Sequence, residues 1–291
     1  MYNHSFSFDA IGTYWQIDIA KRLSAAEGKL LLKKIQKRIE AFDKTYSRFR
    51  KDSLITTMAK EKGTYLFPTD APPLLTLYQE LYDLTDGAFT PLIGQVISDA
   101  GYDATYSLKS KKLISPPPLT SLTINGRKIT TKEPMLIDLG AAGKGYLIDI
   151  IADLLRKERM HLFCIDAGGD ILHSDPEGKA INVGLEDPND PMKVIGVVSI
   201  ANQSICGSAG NRRKWGNYHH IINAKTLSSP QDILSVWVIA KTGLLADGIA
   251  TCLFFTPAEK LRKRYSFEYL ILNKDLRVTY SPGFTAELFL K

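Results

Sequence analysis

Cysteine is scarce in this chain, and its pattern excludes two chemistries. The three cysteines among 291 residues, Cys164, Cys206 and Cys252, are odd in number and far apart, with no short Cys or His spacing. A disulfide framework and a structural zinc site are therefore not expected, and buried free thiols are. Long apolar runs are also missing. None approaches the ~20 residues that span a bilayer, and the longest, around Leu234 to Ala240, has the length of one buried strand. The N-terminus lacks the basic segment, apolar segment and cleavage site of a secretory signal, because Asp9 and Asp18 interrupt its apolar character. A cytoplasmic protein is the expectation. If a leader was removed before Met1, a periplasmic or cell-surface location follows instead.

What is present is ordinary globular composition, 44% hydrophobic and 23% charged, which argues against extensive disorder. The length suits one large domain or two medium ones. No internal repeat and no linker divides the chain, so a single domain over 1–291 is expected. The net charge of +6 is uneven: Lys21 to Lys62 holds thirteen Lys or Arg against five Asp or Glu. A solvated helix face accounts for such a cluster, and a polyanionic cofactor or acidic partner is the other reading. Nucleic acid is not expected, since no interleaved aromatics or known module accompany the charge.

Phe6 to Ile19 has strand character interrupted at Gly12 and Thr13. Ser24 and Glu27 form a capping-box pattern before Leu31, Ile35, Ile39, Phe42 and Tyr46, an apolar stripe at helical spacing. A second helix is predicted over Ala71 to Thr85, with Asp70 as its cap and Gly87 as its end. Gly101 to Pro118 reads as an extended loop. Short strands at Leu122 to Ile124 and Met135 to Leu139 flank the turn signal Asn125-Gly126. A helix follows from Gly143, then a strand at His161 to Ile165. Further strands are expected at Ala180 to Leu185, Lys193 to Ile200, Tyr218 to Asn223, Leu234 to Ala240 and Phe267 to Asn273, with a helix at Leu244 to Phe255. Consecutive strands and unevenly spaced helices predict an α+β fold, a mixed, largely antiparallel sheet with flanking helices.

Four segments could carry chemistry. Asp138-Leu-Gly-Ala-Ala-Gly-Lys-Gly145 places a glycine-rich turn before a helix, where N–H groups can face an anion. It is neither a Walker loop nor a dinucleotide fingerprint, and a tight structural turn explains it equally well. Asp247 and Thr251 share a helix face and would suit Mg²⁺, although an Asp near a helix N-terminus needs no metal. In Tyr218-His219-His220 the adjacent histidines point to opposite faces of a strand, so only one can serve a site. A strand histidine is commonly a hydrogen-bonded structural residue. Thr85-Asp-Gly-Ala-Phe-Thr-Pro91 reads alone as a glycine-terminated helix with Phe89 in the core.

Their order carries more information than any one of them. Ile11-Gly-Thr-Tyr-Trp15, Tyr46-Ser-Arg-Phe-Arg-Lys-Asp-Ser53, Thr85-Asp-Gly-Ala-Phe89, Ile137-Asp-Leu-Gly-Ala-Ala-Gly-Lys-Gly-Tyr146, Asp166-Ala-Gly-Gly-Asp170, His220-Ile-Ile222 and Ala246-Asp-Gly-Ile-Ala-Thr251 resemble the FAD:protein FMN transferase (ApbE) family over nearly the whole chain. The resemblance implies FAD as substrate with Mg²⁺ at its pyrophosphate. It implies the Ala141 carbonyl, Asp247 and Thr251 as metal ligands. Ile11, Ser47, Arg48, Phe49, Ala88, Phe89, Thr90, Asp138, Lys144 and Ile221 would line the flavin and adenine sites, and His220 would assist proton transfer. The implied partner is an acceptor flavoprotein bearing a Ser or Thr flavinylation motif, such as a subunit of a membrane redox complex.

This chain departs from the family pattern at Thr90, where the family often reads GAFDP. It departs again at Asn223, Ala224 and Leu227, where the family reads HIIDPxTG, and at Ser208-Ala-Gly-Asn-Arg212 in place of an SGxYxR-like element. A carboxylate is thus missing beside the proposed base. The competing function is an FAD-binding protein with weak FAD hydrolase activity or none.

Overall fold

The computed structural model describes residues 2–289. Its centre is an eight-stranded sheet ordered β1-β2-β6-β7-β10-β13-β14-β15. The strands are β1 (His4–Ala10), β2 (Thr13–Ile19), β6 (Phe163–Ala167), β7 (Asp170–Ser174), β10 (Ser204–Ala209), β13 (Ile233–Ala240), β14 (Glu268–Asn273) and β15 (Val278–Tyr280). Smaller sheets pair β3 (Gly63–Leu66), β5 (Lys128–Thr131) and β4 (Leu122–Asn125), then β16 (Ala286–Leu288), β9 (Asp190–Ile200) and β8 (Ile181–Asp187), and finally β11 (Lys214–Trp215) with β12 (Tyr218–His219). Every pairing among the described residues is antiparallel. The helices are α1 (Ala25–Tyr46), α2 (Leu54–Met58), α3 (Pro72–Leu84), α4 (Gly94–Asp99), α5 (Gly140–Lys157), α6 (Gly243–Cys252) and α7 (Ala258–Arg262). The α+β expectation is borne out.

β13 shows why the sheet is central. Val236, Val238 and Ala240 enter the core shared with α1, α3, α5 and α6, while Trp237 and Ile239 enter a second core against β8 and β9. A strand buried on both faces reads as a continuous apolar run, as this one does. Cys206 and Cys252 are buried and Cys164 half-buried, all free. Lys33, Lys34 and Lys37 lie on the exposed side of α1, so that part of the basic cluster is a solvated helix face.

Several expectations need correction. The capping box at Ser24 and Glu27 forms, but Asp70 does not cap α3. Its carboxylate pairs with Arg38, and α3 begins at Pro72, whose missing N–H needs no cap. The partner of β4 is β5, and Met135 to Leu139 forms no strand. That segment is tied instead by Met135 N–H to Met58 O (2.9 Å) and Asp138 N–H to Pro91 O (2.8 Å). The strand at Tyr218 ends at His219 rather than Asn223, and β7 and β10 were not expected. No helix among the described residues is long and apolar enough to cross a membrane.

Candidate functional site

The chain turns that join β1 to β2 and β6 to β7 gather at one end of the sheet, beside the N-terminus of α5. They enclose a cavity of about 550 Å³, completed by the 88–97 segment, α6, β8 and β10. Gly168, with φ +64°, sits so close to β2 that a Cβ would lie 1.9 Å from Thr13 Oγ1, so any other residue there would have to displace the Thr13 side chain and take a left-handed backbone, both of which glycine avoids.

The wall that carries Asp247 is set by how α5 and α6 cross. A Cβ on Gly145 would meet Gly243 O at 2.1 Å, and one on Gly243 would meet Gly145 O at 2.5 Å, so the two backbones pack directly together. Asp149 Oδ1 and Oδ2 accept from Gly243 N–H and Leu244 N–H at 2.8 Å each, pinning the N-terminus of α6 to α5. The glycine-rich turn therefore divides its labour. Gly145 is a packing glycine, while Gly140 and Ala141 line the cavity.

This crossing brings Asp247, Thr251 and Ala141 together. Asp247 is 6% exposed, and its Oδ2 accepts the Gly145 N–H at 2.8 Å. Thr251 Oγ1 donates to Ala141 O at 3.4 Å. Burial, and then the negative charge of Asp170, push the Asp247 carboxyl well above the ordinary carboxylate range. Among the described residues there is no cluster of three or more His, Cys, Asp or Glu suited to a metal. A carboxylate, a hydroxyl and a carbonyl nevertheless form an all-oxygen set that fits a hard divalent cation completed by water and phosphate oxygens.

Lys144 reaches the same cavity. Its Nζ pairs with Asp170 Oδ2 at 2.7 Å and donates to Ala167 O at 3.2 Å. Asp170, 1% exposed, accepts the Gly207 N–H through Oδ1 at 3.0 Å. Burial pulls the Lys144 pKa down, but Asp170 and Asp247 more than offset it, so the ammonium stays charged. Two of its three donors are held, which leaves one for a ligand oxygen.

Asp138 is held from both sides: Oδ1 accepts Gly140 N–H at 2.7 Å and Oδ2 accepts Arg48 Nε at 2.5 Å. The Arg48 guanidinium lies 4.2 Å from the Phe49 ring centre, and Phe49 stacks on Tyr106 with centroids 5.5 Å apart. Ile11, Arg48, Phe49, Ala88, Phe89, Thr90, Asp138, Lys144, Ile221, His220, Ala141, Asp247 and Thr251 all line the cavity. Ser47 does not. It ends α1, and its Oγ accepts the Phe49 N–H at 3.3 Å, so it shapes the segment from behind.

The two histidines part as expected. His219 is buried, with Nε2 2.8 Å from Pro230 O, whereas His220 faces the cavity and its Nδ1 has no partner. Burial first, then the charges of Arg213 and of Lys144 with His219, lower the His220 pKa to about 3. The ring is neutral near pH 7, and in the ligand-free cavity its burial and the neighbouring positive charges oppose its protonation.

Two of the departures from the family pattern, Thr90 and Asn223, are locally conservative. Thr90 Oγ1 accepts Leu92 N–H at 3.2 Å, and Asn223 Oδ1 accepts Lys225 N–H at 2.9 Å, turn bonds that an aspartate would make in the same way. Asn223 thus serves its own turn. Ala224 N–H donates to Ala88 O at 3.0 Å, a bond proline could not make. Leu227 takes φ +56°, the left-handed region where glycine is unstrained.

Sequence reasoning missed the wall made by Asn182, Gly184 and Glu186 on β8, together with Tyr102, Arg213 and Trp237. Arg213 was discoverable as a cation near His220 in sequence. The β8 residues gave no signal, because Asn182, Gly184 and Glu186 belong to no motif and reach the cavity only through the pairing of β8 with β9.

A mixed fold whose cavity combines aromatic and aliphatic side chains with oxygen ligands and a lysine belongs to the class of proteins suited to a large, aromatic, anionic ligand. A model of the ApbE family matches residues 11–269, and the chain belongs to that family. It is similar to an FAD:protein FMN transferase of Klebsiella pneumoniae (strain 342), 24% identical over 279 residues covering 87% of this chain and 78% of the relative. It is also similar to one of Treponema pallidum (strain Nichols), 26% identical over 316 residues covering 94% and 85%. The fold is similar to that of the flavin transferase ApbE from Vibrio cholerae, with TM-score 0.79 and 20% identity over 97% of both chains. The ApbE protein from Thermotoga maritima gives TM-score 0.81 and 20% identity over 98% of both.

Proposed function

We propose that this chain transfers FMN from FAD to a Ser or Thr hydroxyl of an acceptor flavoprotein, with Mg²⁺ as cofactor and AMP as the leaving group. The observation that carries this reading is the gathering of Ala141, Asp247, Thr251, Lys144 and His220 on one cavity whose other wall holds Phe49, Ala88 and Ile221. Asp247, Thr251 and the Ala141 carbonyl would hold the cation, which when bound would supply positive charge to offset that of the pyrophosphate. Lys144, fixed by Asp170, directs its remaining N–H at a phosphate oxygen. Arg48, Phe49 and Ile221 hold the ring systems.

The acceptor oxygen forms a bond to the FMN phosphorus as the bond from that phosphorus to the AMP phosphate oxygen breaks. The hydroxyl proton passes to the neutral ring of His220, and AMP leaves as the anion. Water in place of the hydroxyl gives FMN and AMP, the hydrolase outcome. The test incubates the protein with FAD, Mg²⁺ and a flavoprotein acceptor and follows the acceptor's mass. A covalent FMN adduct with one AMP released per adduct is expected. AMP without adduct would establish the hydrolase, and bound FAD with neither product would leave a binding protein.

A further inference from the structure

β8 lines the cavity, yet no residue of it was expected to hold the dinucleotide. It is the terminal strand of the sheet β16-β9-β8 and pairs with β9 alone, in regular register over Ile181–Leu185 and with register shifts at Glu186 and Asp187. Its backbone makes no other backbone hydrogen bond among the described residues. The N–H and C=O groups directed away from β9 therefore have no backbone partner, and among the described residues that edge is hydrogen-bonded at its far end only, where Arg212 pairs with Glu186 and Asn211 Nδ2 donates to Pro188 O. Val183 and Leu185 are rooted in the second core, so the strand is held rigid, while Asn182, Val183, Gly184 and Glu186 all line the cavity, consecutive residues from both faces, as a strand edge turned toward it would. Across from them, Gly207 and Ser208 of β10 also line it, and a glycine in each wall lets another backbone come close.

Other strand edges are open as well: β1 and β15 in the large sheet, β16 beyond β9, and β3 and β4 in the small sheet. None of these contributes a residue to the cavity. β8 is the one terminal strand of the three larger sheets that does, among the described residues. An unpaired edge is a template for another strand, and proteins normally block it unless it is used. The group that satisfies alternating donors and acceptors at about 3.3 Å per residue is an extended polypeptide.

We propose that the acceptor protein docks as an extended segment that adds a strand to the free edge of β8 and so carries its hydroxyl into the phosphate end of the cavity. This rests on the transferase reading above. Backbone pairing supplies affinity largely independent of side chains, and the residue at the hydroxyl position points into the cavity by strand alternation.

The test uses the full chain with FAD and Mg²⁺ and a panel of dodecapeptides, each with one threonine. If no peptide gains the FMN mass although a folded flavoprotein acceptor does, a short extended segment is insufficient for docking and the proposal is overturned. If neither gains it, the transferase reading itself fails. For the peptide modified fastest, each amide is N-methylated in turn. Methylation at alternate positions is expected to raise KM about tenfold or more, and at the positions between them to leave it nearly unchanged. Hydrogen exchange at 181–187 is expected to slow with an analogue in which valine replaces the threonine, and not with FAD alone. Methylation effects without period two overturn the proposal. So does full protection of 181–187 by FAD alone, which would mean the dinucleotide covers the strand. Period two without protection of 181–187 places the added strand elsewhere and overturns it equally.

Discussion

Gly145 N–H donates to Asp247 Oδ2 at 2.8 Å across the α5–α6 crossing, and the bond exists because Gly145 and Gly243 let the two helices touch backbone to backbone. The Asp247 carboxylate is therefore positioned by helix packing. Gly145→Ala would put a methyl group 2.1 Å from Gly243 O and 2.7 Å from Asp247 Cβ, both attached to rigid backbone. The helices must separate, at a cost of about 2–3 kcal/mol, typical of overpacking. Urea unfolding should show that loss, and Mg²⁺ titration of the folded fraction should show weakened activation. A variant with parental stability and metal response would refute the packing account.

Asp247→Asn separates stability from function. Asparagine keeps an oxygen for the Gly145 N–H but removes a buried charge that Asp170 repels. In metal-free buffer the melting temperature is expected to equal or exceed the parent's. Adduct formation at millimolar Mg²⁺ should fall by about a hundredfold or more, since the set loses its one carboxylate. Unchanged transfer at limiting Mg²⁺ would remove Asp247 from the metal site.

Local signals in the sequence were legible where one short segment decides the outcome. Ser24 and Glu27 close their capping box within four residues, and β13 announces its double burial by an unbroken apolar run. Asp70 misled because its carboxylate answers Arg38, a partner 32 residues away that no local rule sees. β7 and β10 were missed because Asp170, His173, Ser204, Gly207 and Ser208 break the alternation by which a strand is recognised. In β7, Asp170 instead holds Lys144. The candidate site was legible through ordered motifs, yet the meaning of Gly145 and of the altered turn at Asn223 required knowing what each backbone touches.

Leu227 offers a test of backbone strain that cancels packing. Its φ of +56° costs a residue with a Cβ about 1 kcal/mol relative to glycine. Comparing Leu227→Gly with Leu227→Ala removes the leucine side chain from both. The glycine variant is expected to be the more stable by about 1 kcal/mol, the reverse of the order at an ordinary position. Chemical denaturation of the pair decides it, and an alanine variant of equal or greater stability would show that the turn relaxes.

His220 should make the ligand-free protein acid-sensitive in a defined window. Its folded pKa lies near 3 against an ordinary 6.5, so as pH falls the unfolded chain takes up a proton that the folded chain refuses. The stabilising contribution is complete above pH 6.5 and declines as pH drops toward 3, with a limiting slope of about 1.4 kcal/mol per pH unit. Because the ring faces the cavity, solvent screening reduces this, and a loss of about 1–2 kcal/mol between pH 6.5 and 4 is expected. Carboxylates elsewhere titrate in the same range, but they cancel when the parent is compared with His220→Gln. The stability difference between the two should therefore shift in favour of the glutamine variant as pH falls. A difference that stays flat from neutrality to pH 4 would show that the imidazole titrates in the folded state as it does in water. Saturating FAD with Mg²⁺ should move the window: phosphate charge beside the ring favours the imidazolium and draws its pKa back toward neutrality, the direction a proton acceptor requires.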